Sequence, residues 1–408
     1  MFMMGLSMKI KDIKQHIIGK LGRVTSSGKF IANIDGLRFF AVILVVVFHI
    51  EQKIGKVGIH ADSHAGEIMS SLCRCGWFGV ELFFAISGFV LALPFARHYL
   101  SEQPSVPKIS QYYLRRLTRI EPPYVISLIV FFALRVFFNQ EEGGVLLPHF
   151  LASLFYVHNA WFQSHSLINA VSWSLEVEVQ FYLLAPLLSQ VFRLKRPLQR
   201  WVALLSLPIL INLPFHGINV LSIYQMKVGS GENLFHFLHY FMVGFVVADL
   251  YVTHWHEKPI RQWQWDIAGI SSVIGIFAIL IMRWSVGYIA ITPLLIVCVC
   301  SAFKGKLCAA IVCMPWLATI GGMCYTIYLY HNISSDLAMQ LLMRVWPAQS
   351  YMTYLLLGIL IVIPVLLAFS SLAFILFEKP FMYRDWPKKA VAFVRRSFCL
   401  RGCPRGTN

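Results

Sequence analysis

The sequence is short of charge: only 13% of its 408 residues are Asp, Glu, Lys or Arg, while 58% are hydrophobic. A soluble domain carries about 25% charged residues, so this chain lacks the polar surface to face water all round. Alternation is missing too. Apolar blocks recur from residue 37 to residue 377 as unbroken runs. In hydrocarbon each unpaired backbone group costs several kcal/mol, which leaves helices or a closed barrel; unbroken runs select helices. There is no internal repeat, no low-complexity run and no appended soluble domain, and no small-residue cleavage site follows a short apolar core as in a secretion signal. Acid is scarce, with 19 Asp and Glu against 35 Lys and Arg. The excess charge sits in short clusters between apolar blocks, so membrane topology explains it better than nucleic-acid binding. Of nine cysteines, Cys298, Cys300, Cys313 and Cys324 lie inside apolar blocks as small hydrophobes. Cys73 and Cys75, like Cys399 and Cys403, lack partners at zinc-ligand spacing, so no metal is expected.

Helix-forming stretches fall at about 37–50, 76–95, 121–138, 172–192, 201–214, 234–251, 266–283, 286–303, 309–331 and 351–377. An eleventh, 145–160, is interrupted by Pro148, His149 and His158. Charge decides its status. If 145–160 does not cross, the cytoplasmic side holds 27 of the 35 Lys and Arg residues, as the positive-inside rule requires. If it crosses, the basic tail and Arg193, Lys195 and Arg196 face outward. The expected fold is therefore an all-α, polytopic transmembrane helical bundle of about ten spans. Both termini are cytoplasmic, and 145–160 is a re-entrant or interfacial segment. Residues 1–32 form a basic cytoplasmic segment, 33–382 the membrane domain and 383–408 a basic cytoplasmic tail.

Ionisable residues inside spans are expensive and mark function. Arg38 and His49 flank FFAVILVVVF in the first span. Eleven residues at roughly 100° each exceed three turns by only about 20°, so both side chains share one face, about 16 Å apart along the axis. Glu81 lies well inside the second span. Arg116 and Arg119, one turn apart before Pro122 and Pro123, share a face at the cytoplasmic boundary. Such a pair suits phosphate, which guanidinium binds bidentately, although plain positive-inside anchoring also accounts for it. In the fourth span, Trp173, Ser174, Glu176, Glu178 and Tyr182 follow one another; acids at i and i+2 cannot share a helix face, so at most one serves any single site. Tyr325, Tyr328 and His331 occupy adjoining turns of the ninth span, and His236 and His239 pair in the sixth with nothing nearby to complete a constellation. Glu378 closes the last span.

Taken in order, these segments resemble the acyltransferase 3 family of bacterial membrane O-acyltransferases over about residues 33–382. Arg38 and His49 match its Arg-x10-His. Gly79-Val80-Glu81-Leu82-Phe83-Phe84 with Ser87-Gly88-Phe89 matches its second-span segment, Arg116 and Arg119 its Arg-x-x-Arg, Trp173 to Tyr182 its Trp-Ser motif, Cys324 to His331 its Ser-Tyr-x-x-Tyr-Leu-x-His, and Glu378 to Pro380 its Glu-x-Pro. Glu81 stands in place of Asp, Cys324 in place of Ser, and Glu176 and Val179 where Ser and Glu are common, so the motif's carboxylate carries over to Glu178.

The resemblance implies a membrane-bound O-acyltransferase of the bacterial cytoplasmic (inner) membrane. It would move an acyl group, acetyl by expectation, from acyl-CoA to a hydroxyl of a cell-surface or lipid-linked carbohydrate. Acetyl-CoA is a co-substrate, with no bound cofactor and no nucleic-acid partner. Arg38, Arg116 and Arg119 would hold the CoA phosphates. His49 would act as general base or transient acyl carrier, with Glu178 or Glu81 orienting its ring. Trp173, Ser174, Tyr182, Tyr325, Tyr328, His331 and Glu378 would shape the site. The rival reading is a secondary transporter or exporter of a small polar solute, against which stand the missing repeat and the lack of paired broken helices. A third is an inactive relative that only binds glycan.

Overall fold

A computed structural model describes residues 19–24, 30–101, 107–138, 142–216, 233–283, 288–347, 349–383 and 386. Most of the basic N-terminal segment and tail, with Cys399 and Cys403, lies outside the described residues. Among the described residues there is no strand. The helices are α1 Ala32–Lys56, α2 His64–Arg74, α3 Phe78–Leu100, α4 Ile109–Phe138, α5 Gly143–Leu154, α6 His158–Phe162, α7 Trp173–Leu188, α8 Pro197–His216, α9 Leu234–Thr253, α10 Gln264–Met282, α11 Tyr288–Lys304, α12 Lys306–Val312, α13 Pro315–Gly322, α14 Cys324–Val345 and α15 Tyr351–Ala373. The last runs on into a π-helical turn, Phe374–Glu378.

Among the described residues six stretches are long and apolar enough to cross a membrane: α1, α2 with α3, α4, α9, α10, and α15 with its terminal turns. A seventh is α11 with α12, bent by 81°. The chain is thus a multi-pass membrane protein. Of the other expected crossings, α7 and α14 depart from a plain apolar span. At 16 residues, α7 is about 24 Å long, under the roughly 30 Å of a hydrocarbon core. The 22-residue α14 carries His331, Asn332, Asp336, Gln340 and Arg344 after its first two turns.

The ninth expected stretch, 309–331, is not one helix. It divides into the end of α12, all of α13 and the start of α14, and the long helix there begins at Cys324. Asp266 makes the break just before this stretch. Its carboxylate accepts the backbone N–H groups of Lys306, Leu307 and Cys308, so α12 starts afresh where α11 stops. Pro315, at the first position of α13, cannot donate to a preceding turn.

At the centre of the bundle, α3 packs against α9 on one side and α1 on the other. The α3–α9 contact is backbone to backbone: a Cβ at Gly88 would overlap Phe241 O, and one at Gly244 would overlap Ala85 O. Small residues allow this approach where lipid offers no hydrophobic drive to association. Around it the rings of Phe84 and Phe181 stack on Phe241, centroids 4.7 and 3.9 Å apart. Arg200 of α8 forms a buried two-point ion pair with Asp249 of α9, at 2.6 and 2.9 Å.

The interrupted 145–160 stretch becomes α5 and α6. Twelve residues make α5 about 18 Å long, too short to cross. The segment folds back instead. Tyr156 Oη donates to Glu121 Oε2 at 2.7 Å, well inside α4, and the backbone N–H of Asn159 donates to Glu176 Oε2 at 2.9 Å. His149 Nδ1 and His158 Nε2 join across the hairpin at 2.8 Å.

Candidate active site

One cavity of about 120 Å³ gathers most of the residues that the sequence singled out. Arg38 from α1, Ser87 from α3, Arg116 and Arg119 from α4, Ser174, Glu178 and Tyr182 from α7, and Cys324, Tyr325 and Tyr328 from α14 all line it. Five separated segments of sequence thus meet around one small space.

The guanidinium groups are held from behind. Arg38 Nη1 donates to Asp35 Oδ1 at 2.5 Å, and Arg23 Nη1 donates to the same oxygen at 2.8 Å. Asp35 is itself fixed because α13 touches its backbone: a Cβ at Gly321 would overlap Asp35 O. The Arg116 guanidinium lies 5.9 Å from the ring centroids of both Tyr112 and Tyr182, a cation–π seat that sets its direction. Arg119 makes no hydrogen bond or ion pair among the described residues. The cavity's lining carries three guanidinium groups against the single carboxylate of Glu178. The surplus reaches Arg23, outside the crossing helices. Burial first, then Arg119 and Arg38 as like charges, pull its guanidinium below its ordinary pKa. An anion entering here meets positive charge already desolvated.

The two acids at i and i+2 on α7 part company, as helix geometry demands. Glu178 accepts from Ser87 Oγ at 2.5 Å on the cavity wall, whereas Glu176 turns to the α6 hairpin. Ser174 Oγ and Tyr328 Oη share a hydrogen bond of 2.6 Å, and Tyr325 Oη donates to Ile120 O at 2.9 Å. Glu378 sits behind α14, accepting the backbone N–H and hydroxyl of Thr326. Trp173 stands outside the cavity, against Phe84 and Phe237. His236 and His239 lie against Phe237 and Tyr240, also away from it.

His49 lies at a second centre, next to the first. Its ring is 4.8 Å from that of His331 on α14, centroid to centroid. His331 in turn donates through Nδ1 to Tyr328 O at 2.7 Å. Tyr328 therefore belongs to both centres, lining the cavity with its ring and fixing His331 with its carbonyl. Beyond the histidines, Lys53 Nζ donates to Asn332 Oδ1 at 2.9 Å and pairs with Asp336 Oδ1 at 2.5 Å.

The expected support for His49 differs in the structure. Its Nδ1 donates to the Gln52 amide oxygen at 3.2 Å, one turn along α1, so an amide occupies the place proposed for a carboxylate. Glu178 is engaged with Ser87 at the arginine cavity. Glu81 is 3% exposed and lies against Tyr240 of α9. Helical phase explains this, since Glu81 and Gly88 are seven residues apart and nearly in register on one face. Gly88 is the residue that touches α9, so Glu81 must look the same way. The unanticipated contributors, Gln52, Asp35, Arg23 and Ser87, are polar residues within or beside quoted motifs. Their spacing by itself showed no partner.

The fold and the two centres define a multi-pass membrane protein in which Tyr328 lines a basic cavity with its ring and holds His331, beside His49, with its carbonyl. A family model described as an acyltransferase domain, that of the acyltransferase 3 family, matches residues 31–377; the chain belongs to that family. It is similar to the peptidoglycan O-acetyltransferase OatA of Listeria monocytogenes, 30% identical over 176 residues, which cover 41% of this chain and 25% of that protein. It is also similar to the O-acetyltransferase OatA of Staphylococcus aureus, 26% identical over 333 residues, 75% of this chain and 50% of that one. This chain thus spans half or less of the length of these curated relatives. No solved structure matches it.

Proposed function

We propose that the domain transfers an acetyl group from cytosolic acetyl-CoA to a hydroxyl of a cell-envelope carbohydrate, across the bacterial cytoplasmic membrane. The observation that carries this reading is the junction at Tyr328, whose ring lines the arginine cavity and whose carbonyl holds His331, the partner of His49. Peptidoglycan, the substrate in the name of the Listeria relative, is the acceptor we would try first. The reading uses ten crossings with both termini cytoplasmic, which sets Arg116 and Arg119 at the cytoplasmic mouth.

Arg38, Arg116 and Arg119 hold the diphosphate of CoA. A cavity of about 120 Å³ admits the pantetheine arm and leaves the nucleotide outside. The thioester then lies toward Tyr328, within reach of His49. With Nδ1–H given to Gln52, His49 presents Nε2 as a lone pair. The acceptor hydroxyl loses its proton to that nitrogen, its oxygen bonds to the acyl carbon, the C–S bond breaks, and the departing thiolate takes the proton back. General-base assistance of this kind contributes about 10²–10⁴ in rate.

The test is ester formation by the purified full chain in lipid vesicles, given radiolabelled acetyl-CoA and soluble peptidoglycan fragments. We expect His49→Ala to lose transfer while remaining folded and inserted, and Arg119→Ala to raise the KM for acetyl-CoA. Transfer by His49→Ala at the wild-type rate would remove its role as base. Solute flux without CoA consumption would favour a transporter instead.

A further inference from the structure

A second hollow, of about 470 Å³, follows the end of α15 and is lined by Ile375, Lys379, Pro380, Phe381, Tyr383 and Trp386. Two contacts bring its walls to Arg119. Trp386 Nε1 donates at 3.1 Å to the carbonyl of Thr118, the residue before Arg119, and Glu378, the residue before Lys379, is within electrostatic reach of Arg119. The rings are held: Phe381 meets Trp386 edge to face, centroids 4.8 Å apart, while the indole N–H ties Trp386 to α4. Tyr383 remains exposed. Lys379 gives two of its three N–H groups to the carbonyls of Gly19 and Lys20 and keeps one. The recess thus offers aromatic faces and a cation a few residues from the guanidinium groups of the arginine cavity.

We propose that this recess is the adenosine subsite of the donor, with adenine against the rings of Tyr383 and Trp386 and the 3′-phosphate on the remaining N–H of Lys379. This rests on the reading that Arg38, Arg116 and Arg119 hold the diphosphate of CoA. A cavity of about 120 Å³ leaves the nucleotide outside, and the diphosphate ties that nucleotide to the neighbourhood of Arg119. Small-ligand sites run from about 300 to 1,000 Å³, so a recess of about 470 Å³ has room for a purine nucleoside. Every base has a flat π-face that stacks on an aromatic side chain, and phosphate calls for positive charge. The walls supply both. The recess acts on donor affinity alone, since the thioester lies at the other end of the pantetheine arm.

The test uses the full chain in lipid vesicles, soluble peptidoglycan fragments as acceptor, and three labelled donors: acetyl-CoA, its 3′-dephospho form, and S-acetyl-4′-phosphopantetheine, which lacks adenosine. Trp386→Ala should lower kcat/KM for acetyl-CoA about tenfold through KM, base stacking on one ring being worth about that much. The same variant should use the adenosine-free donor as the wild type does. Lys379→Met should raise the KM for acetyl-CoA toward that of the 3′-dephospho donor and leave the latter's unchanged. No loss with acetyl-CoA overturns the proposal. A loss shared equally by the paired donors in either variant overturns it too, by making the recess a structural or lipid contact. Failure of the underlying reading looks different: no ester from any donor with wild-type protein, or an unchanged acetyl-CoA KM in Arg119→Ala, and either result withdraws both.

Discussion

A single oxygen, Asp35 Oδ1, accepts hydrogen bonds from Arg38 at 2.5 Å and from Arg23 at 2.8 Å. Asp35 is the first turn's only acid on α1, and it keeps Arg38 turned to the cavity wall rather than toward water. Replacing it by Asn keeps the shape and removes the charge. We expect Asp35→Asn to raise the KM for acetyl-CoA about tenfold, since a charge-assisted hydrogen bond is worth roughly 1.5–3 kcal/mol. Unchanged donor KM would mean that Arg38 is placed by something else. Asp35→Ala should cost more, lowering the yield of folded protein by leaving two guanidinium groups uncompensated.

Gln52 sets the tautomer of His49. With Gln52→Leu the ring is free to carry its proton on either nitrogen and to turn. We expect kcat to fall about tenfold, the scale of one lost hydrogen bond, while both substrate KM values hold. A drop in affinity without a drop in kcat would identify Gln52 as a substrate contact instead.

Glu81 faces α9 through Tyr240. Glu81→Gln should therefore leave kcat within about twofold of wild type, the change being confined to a helix interface and to the thermal midpoint of the solubilised protein. Loss of transfer by a hundredfold or more would restore Glu81 to the chemistry.

The α5–α6 hairpin should respond to acid. His149 and His158 share one hydrogen bond, which needs an N–H on one ring and a lone pair on the other. Burial lowers both pKa values. For His158 burial acts first and the neighbouring His149 second, bringing it down to about 4. In the unfolded chain a histidine titrates near 6.5. As pH falls from about 6.5 toward 4 the unfolded state takes up protons first, so the folded state loses stability over that window and no further below it. The thermal midpoint of solubilised protein should drop between pH 7.5 and 5, and His158→Gln should flatten the slope. An equal slope in wild type and variant would place the acid sensitivity elsewhere.

Much of this was legible in the residues themselves. Unbroken apolar runs located most of the helices, because a 3.6-residue period and lipid leave little choice. The shared face of Arg116 and Arg119 and the parting of Glu176 from Glu178 follow from helical phase alone. Arg38 and His49 likewise project to one side of α1, toward Tyr328 and its neighbour His331. What a single helix cannot disclose is which neighbour its faces meet. Glu81 looked available until Gly88 was seen to fix the α3–α9 contact. Gln52 gave no signal at all, since a glutamine one turn from a histidine is common. The 309–331 stretch misled because its hydropathy is continuous while its backbone is not: Pro315, which cannot donate to the turn before it, opens a new helix inside the stretch.

Tyr328 has a mechanical consequence. Its ring borders the arginine-lined cavity while its carbonyl steers an imidazole, so one turn of α14 carries parts of both centres. Any tilt or slide of that helix moves the two together. Occupancy of either centre can thus be felt at the other without a separate messenger, and a force on α14 would reach both at a stroke.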